Sequence, residues 1–501
     1  MLDTLASLGG GFSDILNPQN LLLIFVAGLI GTVVGALPGL GPSAGIALMM
    51  PLTFGMSQTA GLCLLTGVYL GTMYGGRITA ILINTPGDAP AIITALEGYP
   101  LMRQGRGGLA LGVSALSSFI GGTIGLAVLV FFAPVVAEYA IFLGPSEYFL
   151  LMVIGLSTIV LLAGDNIFKA VIATLFGVLV STFGSDYISG YVRFGFTPEL
   201  IEGIDFVAII IGLYGLGEVF FNLEKRIVLN LGRPEFRFSD YFPDRGSLKT
   251  SFWPVMRGGV LGTSVGILPG AGATVATFLS YALERKLSRR PEKFGDGAIE
   301  GLAGPESSNN AGVPGSLIPL ITLGIPGSGG TAIMLGALIM FGMQPGPLLM
   351  IQSGDVVWAM IAGLIVGNVF LLASNVLLIP VFINALRLIQ NHLSSIVLGL
   401  CVVGAFSLNY DIFNIWIVLV FGAVGYLMKK NDYPTGPFIL AVVLAPLTEN
   451  YFRQTIMQAQ GSWDVFVTRP VSLGLLIFLV LIVAASIAKK VVAKRRGDTT
   501  P

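Results

Sequence analysis

The feature that most constrains this chain is an apolar run that cannot remain helical. In LLLIFVAGLIGTVVGALPGLGPSAGIALMM (21–50) the apolar residues continue past the length of a membrane span, yet Leu37-Pro38-Gly39 interrupts them. Proline removes a backbone donor and clashes with the preceding turn, while glycine admits left-handed angles, so two half-helices meeting at a tip are predicted. Backbone freed in this way survives at membrane depth only where protein or a water-lined cavity satisfies it. The device then recurs. GTVVGALPGLG (31–41) aligns with GTSVGILPGAG (262–272), 231 positions on, with eight identities in eleven positions, five of them Gly or Pro. A second pair, GGRITAILINTPGD (75–88) and GSLIPLITLGIPGS (315–328), aligns at 240 positions and shares Gly75/Gly315, Ile78/Ile318, Ile81/Ile321, Pro86/Pro326 and Gly87/Gly327. The extra length in the second half fits the charged stretch ERKLSRRPEKFGDG (284–297). The chain reads as a duplication in which each half carries two apolar segments broken at Pro-Gly.

Composition then decides the solvent. Charged residues make up 11% and hydrophobic residues 54% of the chain, against about 25% charged in a soluble domain, too few to cover a wet surface. Runs at 21–37, 206–221, 358–383 and 471–488 approach the ~20 helical residues that cross a bilayer core. The short alternating strands of an outer-membrane barrel are not seen. The fold class predicted is all-α: a polytopic transmembrane helical protein. The N-terminus has no basic segment ahead of an apolar one and no cleavage site, so the first span is expected to act as its own insertion signal.

Basic residues gather at Arg103 and Arg106, in 224–251, in 284–293, at Lys429 and Lys430, and in 489–496. Short loops between apolar spans make this a topology signal, with positive residues inside, and not a nucleic-acid surface. Four crossings near 109–136, 147–163, 167–184 and 200–223 return the chain to the cytoplasm. Five more, near 354–384, 391–408, 412–428, 434–450 and 471–488, leave the basic tail inside. A hairpin over 252–283 then enters from the cytoplasm and its counterpart over 20–54 from outside. The expected organisation is two inverted-topology repeats containing broken helices or re-entrant hairpins. The first membrane repeat spans 1–223, a basic cytoplasmic linker 224–251, the second repeat 252–488, and a basic cytoplasmic tail 489–501.

Paired broken helices in inverted halves point to a transporter site near the midplane. Amide ends of half-helices suit a carboxylate, and freed carbonyls suit a dehydrated Na⁺. The candidate substrate- and ion-binding residues are therefore Pro38, Gly39 and Gly41; Asn84, Thr85, Pro86 and Gly87; Pro269, Gly270 and Gly272; and Pro326 and Gly327. Ser307, Ser308, Asn309 and Asn310 are expected to add neutral donors and acceptors beside the second break. One isolated Pro-Gly reads as close packing or a kink; four in two matching pairs do not. Arg77 stands in an apolar stretch and needs a partner or a task, with Asp88 the candidate partner; a snorkelling or purely structural arginine is the alternative. Glu306 is a candidate proton or cation site, set against a helix N-terminal residue following Pro305. Cys63 and Cys401 read as packing residues with no disulfide or zinc framework, and His392 as an interfacial polar residue. With no HExxH, no Ser-His-Asp set and no GxxxxGK[ST] loop, neither an enzyme nor an ATP-driven pump is expected. An ion or solute channel and a non-transporting scaffold subunit remain the rival readings.

GALPGLGPSAG (35–45), NTPGD (84–88) and GLAGPESSNNAGVPGSLIPLITLGIPGS (301–328) resemble the large membrane subunit of the tripartite tricarboxylate transporters, the TctA family, and the similarity runs over nearly the whole chain. The resemblance implies a multi-pass permease of the bacterial inner membrane. Its partners would be a small TctB-like membrane subunit and a periplasmic TctC-like solute-binding protein. It also implies symport of citrate or other organic carboxylates driven by Na⁺ or H⁺, with no cofactor. Alternating access, with one broken-helix domain moving elevator-like against a scaffold, is the expected mechanism.

Overall fold

A computed structural model describes residues 2–162, 166–186, 188–225, 237–270, 272–390, 392–408 and 410–496. Residues 226–236 of the basic linker and 497–501 of the basic tail thus lie outside the described residues. The first stretch of chain forms helices α1 (Leu2–Ile15), α2 (Pro18–Ala36), α3 (Gly41–Met49), α4 (Gln58–Ile83), α5 (Ala91–Arg103), α6 (Gly107–Ala140), α7 (Pro145–Leu162) and α8 (Ile167–Ser181). Then come α9 (Phe206–Ile210) and α10 (Gly217–Lys225), joined by a π-helical segment at Ile211–Leu216, followed by α11 (Arg245–Gly266), α12 (Gly272–Leu287), α13 (Ile299–Leu323) and α14 (Gly329–Met340). The chain closes with α15 (Leu349–Gln352), α16 (Gly354–Leu377), α17 (Ile379–Ile389), α18 (Leu393–Ser407), α19 (Phe413–Lys430), α20 (Thr435–Gln458), α21 (Val465–Thr468) and α22 (Pro470–Arg496). Among the described residues strand is confined to a two-residue ladder, Gly184–Ser185 with Val192–Arg193. The all-helical expectation holds. Among the described residues five helices are long and apolar enough to cross a membrane: α2, α6, Phe206–Glu224, α16 and α19. The pair α17 and α18, bent by 81°, makes a sixth if taken as one broken span.

Two compact units result: residues 1–137 with 205–431, and residues 138–204 with 432–501. Each unit draws on both halves of the duplication. In the first unit, local chemistry sets the ends of the helices. Asn17 caps α2 by accepting from the Asn20 amide at 2.8 Å, and Pro18 takes the position where a missing N–H costs nothing. At the far end Pro38 stops α2, and the chain turns through Gly39 and Gly41 at φ of 88° and 52°. Helix α4 ends on Asn84 at φ 55°, a left-handed angle that asparagine tolerates better than most residues.

Helices α2 and α4 pack backbone to backbone. A Cβ on Gly31 would strike Val68 and Gly71, one on Gly35 would strike Thr72, and one on Gly75 would strike Thr32 and Ala36. Small residues at such a seam allow the close approach that drives helix association in lipid. The second half repeats these contacts at the same offsets. Gly262 lies on Ser308, Gly266 on Gly312 and Gly315, and Gly315 on Thr263. Its turns fall where the first half's do, with Gly270, Gly272 and Gly324 at φ of 77°, 57° and 71°.

Three features depart from the spans read in sequence. Helix α1, for which no expectation was stated, packs Leu8 and Phe12 on a core of Ile15, Ile24, Cys63, Ala359 and Ala362. Helix α11 begins at Arg245, so the last residues assigned to the basic linker are its first turns. The span expected over 354–384 is cut after Leu377, with Pro380 in the first turn of α17. Cys63 and Cys401 are both free and buried, as packing residues should be.

In the second unit α20 lies against α7 and α8. Gly177 lets α8 approach the Phe438 backbone, and Tyr148 stacks on Tyr451 at 5.1 Å. Beyond α8, Asp186 accepts from the Ser189 amide (2.7 Å), the Ser189 hydroxyl (2.8 Å) and the Ile188 amide (3.1 Å). It also closes a ring of alternating charge: Arg193 bridges Asp186 and Glu449, and Arg453 bridges the same two carboxylates. The Ser189 donors first, then the arginine charge, pull the Asp186 carboxyl down to about 2. A depressed pKa stabilises the loop fully above the ordinary value of about 3.9, and that support is lost as pH falls through about 2. Pepsin cleavage in 182–205 should therefore rise between about pH 4 and about pH 2, and Asp186→Asn should be cut at both; equal cleavage of the wild type at both would count against the ring as the lock.

Candidate functional site

The four predicted breaks come together in two pairs. The Gly39 amide at the tip between α2 and α3 donates to the Gly87 carbonyl at the tip between α4 and α5, at 3.1 Å. In the second half the Gly270 amide donates to the Gly327 carbonyl, again at 3.1 Å. Pro38, Gly39 and Gly41 are thus gathered with Pro86 and Gly87, and Pro269, Gly270 and Gly272 with Pro326 and Gly327. Asn84 forms the αL end of α4, and the Thr85 hydroxyl donates to the Ile83 carbonyl. Each second break opens a helix that carries a side-chain cap: Asp88 Oδ1 accepts from the Ala91 amide at 3.0 Å, and Ser328 Oγ from the Thr331 amide at 3.2 Å.

The halves also touch each other here. The Tyr69 hydroxyl on α4 lies 2.8 Å from Ser328 Oγ and 3.4 Å from Ser316 Oγ. Gly330 sits under the Tyr69 ring, and Gly329 faces the hydroxyls of Ser43 and Tyr214. None of Ser43, Tyr69 or Tyr214 was among the sequence candidates. Tyr69 left one usable trace, since it aligns with Asn309 at the 240-residue offset.

Ser307, Ser308, Asn309 and Asn310 lie in the body of α13, and not beside the second break. Gly324 follows Asn310 by 14 residues, about four helical turns. The three prolines Pro305, Pro314 and Pro319 do not stop α13, which runs on to Leu323. All four residues are buried. Ser307 donates to the Val255 carbonyl at 2.7 Å, and Asn310 Nδ2 to the Glu306 carbonyl at 3.3 Å. Ser308 Oγ, Asn309 Oδ1 and Asn310 Oδ1 are buried with no hydrogen-bond partner. Native interiors rarely leave such atoms unpaired, and here three fall within one turn.

The charged candidates are rearranged. Arg77 does not meet Asp88. Its guanidinium donates to the carbonyls of Tyr74 (3.0 Å) and Leu111 (3.1 Å), to Ser114 Oγ (2.5 Å) and to Asn375 Oδ1 (3.1 Å). Asp88 is committed to capping α5, while α6 and α16 bring neutral acceptors to the arginine. Glu306 is buried in α13, with its N-terminal turn well behind it, and accepts from Thr94 Oγ1 and from Ser118 Oγ (2.9 Å). Two further carboxylates escaped the sequence reading. Glu97 on α5 accepts from the amides of Gly295, Gly297 and Ala298 and from the Tyr281 hydroxyl, all within 2.9 Å, and so ties down the end of the charged stretch 284–297. Glu218 pairs with Lys429 against Gly39, where any Cβ would collide with the carboxylate. Among the described residues no group of three or more His, Cys, Asp or Glu could hold a metal ion.

A multi-pass helical chain with two tip-to-tip pairs of broken helices, and unpaired polar atoms buried within α13, has the build of a membrane transport protein. The family model of the tripartite tricarboxylate transporters, TctA family, matches residues 21–440, and the chain belongs to that family. It is 38% identical over 496 residues to an uncharacterized 52.8 kDa protein in the TAR-I ttuC' 3' region of Agrobacterium vitis, covering 99% of this chain and 98% of the relative. An uncharacterized protein in the TAR-II ttuC' 3' region of the same organism is 38% identical over 215 residues, 43% of this chain and 89% of the relative. No solved structure matches. Membership places the chain among transporter subunits and not enzymes, in a tripartite system whose other members are, in general, TctB and TctC.

Proposed function

We propose that this chain is the large permease subunit of a binding-protein-dependent secondary transporter. It imports tricarboxylates or related organic carboxylates across the bacterial inner membrane, driven by Na⁺ or H⁺. A TctC-like protein delivers the substrate and a TctB-like subunit completes the membrane complex. The observation that carries the reading is the repeated amide-to-carbonyl bond between tips, Gly39 to Gly87 and Gly270 to Gly327, together with a buried turn of α13 that holds three unpaired polar atoms. Half-helix ends that face one another offer both amide and carbonyl poles, which suits an anion travelling with a cation. The two repeats are taken to sit inverted in the bilayer, with the broken-helix pairs moving together in an alternating-access, elevator-like step.

The test is reconstitution. Liposomes holding the chain with its small subunit, supplied with the solute-binding protein, should accumulate labelled carboxylate only under an imposed Na⁺ or proton gradient. Uptake indifferent to both gradients, or conductance far above carrier turnover, would sink the reading. Asn310→Ala should lower uptake roughly tenfold, the ratio for one lost contact of about 1.4 kcal/mol, while leaving insertion and folding unchanged. Wild-type uptake in that variant would remove Asn310 from the site.

A further inference from the structure

The duplication is broken at one place, and the break has a sign. At the 240-residue offset Tyr69 matches Asn309, Gly76 matches Ser316, Asp88 matches Ser328 and Ala91 matches Thr331. The caps obey this register, since Asp88 receives the Ala91 amide and Ser328 the Thr331 amide. The tips obey it too: a Cβ on Gly41 would lie 3.7 Å from that of Asp88, and one on Gly272 would lie 3.6 Å from that of Ser328. Helix pairs match as well, with α4 and α3 touching α14 as α13 and α12 touch α5.

At the second tip three groups fill the space. Ser328 is reached by the Tyr69 hydroxyl, which also lies beside Ser316. At the first tip two of the three are cut back: glycine replaces Ser316, and asparagine replaces the long tyrosine. The third has gained a charge, because Asp88 stands where Ser328 stands in the other half. Asp88 Oδ1 lies over Gly76 and caps α5, whereas Asp88 Oδ2 is buried with no partner. Asn309, 4% exposed, likewise has an unpartnered Oδ1. Glu306 accepts from Thr94 on α5, the helix that Asp88 opens, and Asn309 follows Glu306 by three residues, on the same side of α13.

We infer that Asp88 and Asn309 form a Na⁺ site at the first tip, a cation site with no equivalent at the serine-capped second tip. The unpaired atoms are a carboxyl oxygen and an amide oxygen, the ligand types that a hard cation takes. One carboxylate with a neutral oxygen, and among the described residues no group of three or more His, Cys, Asp or Glu placed to hold a metal ion, fits a monovalent ion better than Ca²⁺. The inference rests on the proposed function for its meaning, as the site of the ion that drives uptake. Its test does not depend on transport.

The unfolding midpoint of the purified full-length chain in detergent is to be measured with NaCl and with KCl or choline chloride at equal ionic strength. Wild type should be stabilised by Na⁺ alone. Asp88→Asn should keep its basal midpoint, because asparagine caps a helix as well as aspartate does, yet need roughly tenfold more Na⁺ or lose the response, as removal of a charged ligand predicts. Asn309→Leu should behave alike, while Ser328→Ala and Tyr69→Phe, at the other tip, should respond as wild type. A Na⁺ response that survives in Asp88→Asn would overturn the assignment, as would a wild type that Na⁺ does not stabilise. If the wild type shows no Na⁺ response but its proteoliposomes still accumulate carboxylate on a proton gradient, the site fails and the transport reading stands. If the Na⁺ response follows Asp88 but no carboxylate is taken up, the site stands and the transport reading fails.

Discussion

Gly75→Leu is expected to abolish recovery of folded protein. A Cβ at Gly75 would sit on the Thr32 carbonyl and 2.8 Å from the Ala36 amide, so α2 and α4 must part before the first leucine carbon fits. Over-packing a soluble core costs ~1–3 kcal/mol where side chains can yield; here the obstacle is backbone, which yields less. The seam between α2 and α4 is one of the two most extensive helix pairings in the chain, and it sets the height at which Gly39 meets Gly87. Gly315→Leu, the same position in the second half, would strike Thr263 and should fail in the same way. Gly399→Leu, in α18, has nothing within 4 Å and should behave as wild type. Size-exclusion profiles of the detergent-extracted variants decide the matter. A sharp wild-type peak for Gly75→Leu would mean that the seam tolerates separation.

The second large effect is expected from Arg77→Met. The guanidinium is wholly buried and joins α4 to α6 through Leu111 and Ser114, and to α16 through Asn375. Asn375 Nδ2 has no partner, so losing the arginine leaves both ends of that amide unsatisfied. Arg77 and Glu306 are also bound to serines one turn apart on α6, Ser114 and Ser118. Removing one member of a buried charge set typically costs ~3–5 kcal/mol, since the other is left uncompensated. Glu306→Gln added to Arg77→Met should recover ~1 kcal/mol or more of that loss, a coupling expected of groups in one network. The measurement is thermal unfolding of both single variants and the double variant. Strict additivity would separate Glu306 from the arginine.

What could be read from sequence, and what could not, divides along the chain's own physics. Pro38, Pro86, Pro269 and Pro326 announced their breaks because proline and glycine act on the local backbone, whatever surrounds them. The offsets of 231 and 240 then marked which breaks are equivalent, but the meeting of Gly39 with Gly87 and of Gly270 with Gly327 appears only in the fold. Burial partners were invisible for the opposite reason. Arg77 is held by residues 34 and 298 positions away, and no spacing rule reaches that far. The polar middle of α13 was put beside a break, yet the helix continues unbroken from Ile299 to Leu323 through three prolines and carries it into its own body. Helix α1 went unread because its apolar residues are few, although Gly11 fits it closely against the Trp358 carbonyl.

The grip of Glu97 on Gly295, Gly297 and Ala298 bears on ancestry. A gene for half this protein, translated twice and paired, is the arrangement from which such a duplication descends. That pair could no longer rebuild the molecule. The acidic hook is on the shorter copy and the loop it catches lies in the stretch by which its sister is longer, so the two segments have become lock and key and neither can stand in for the other.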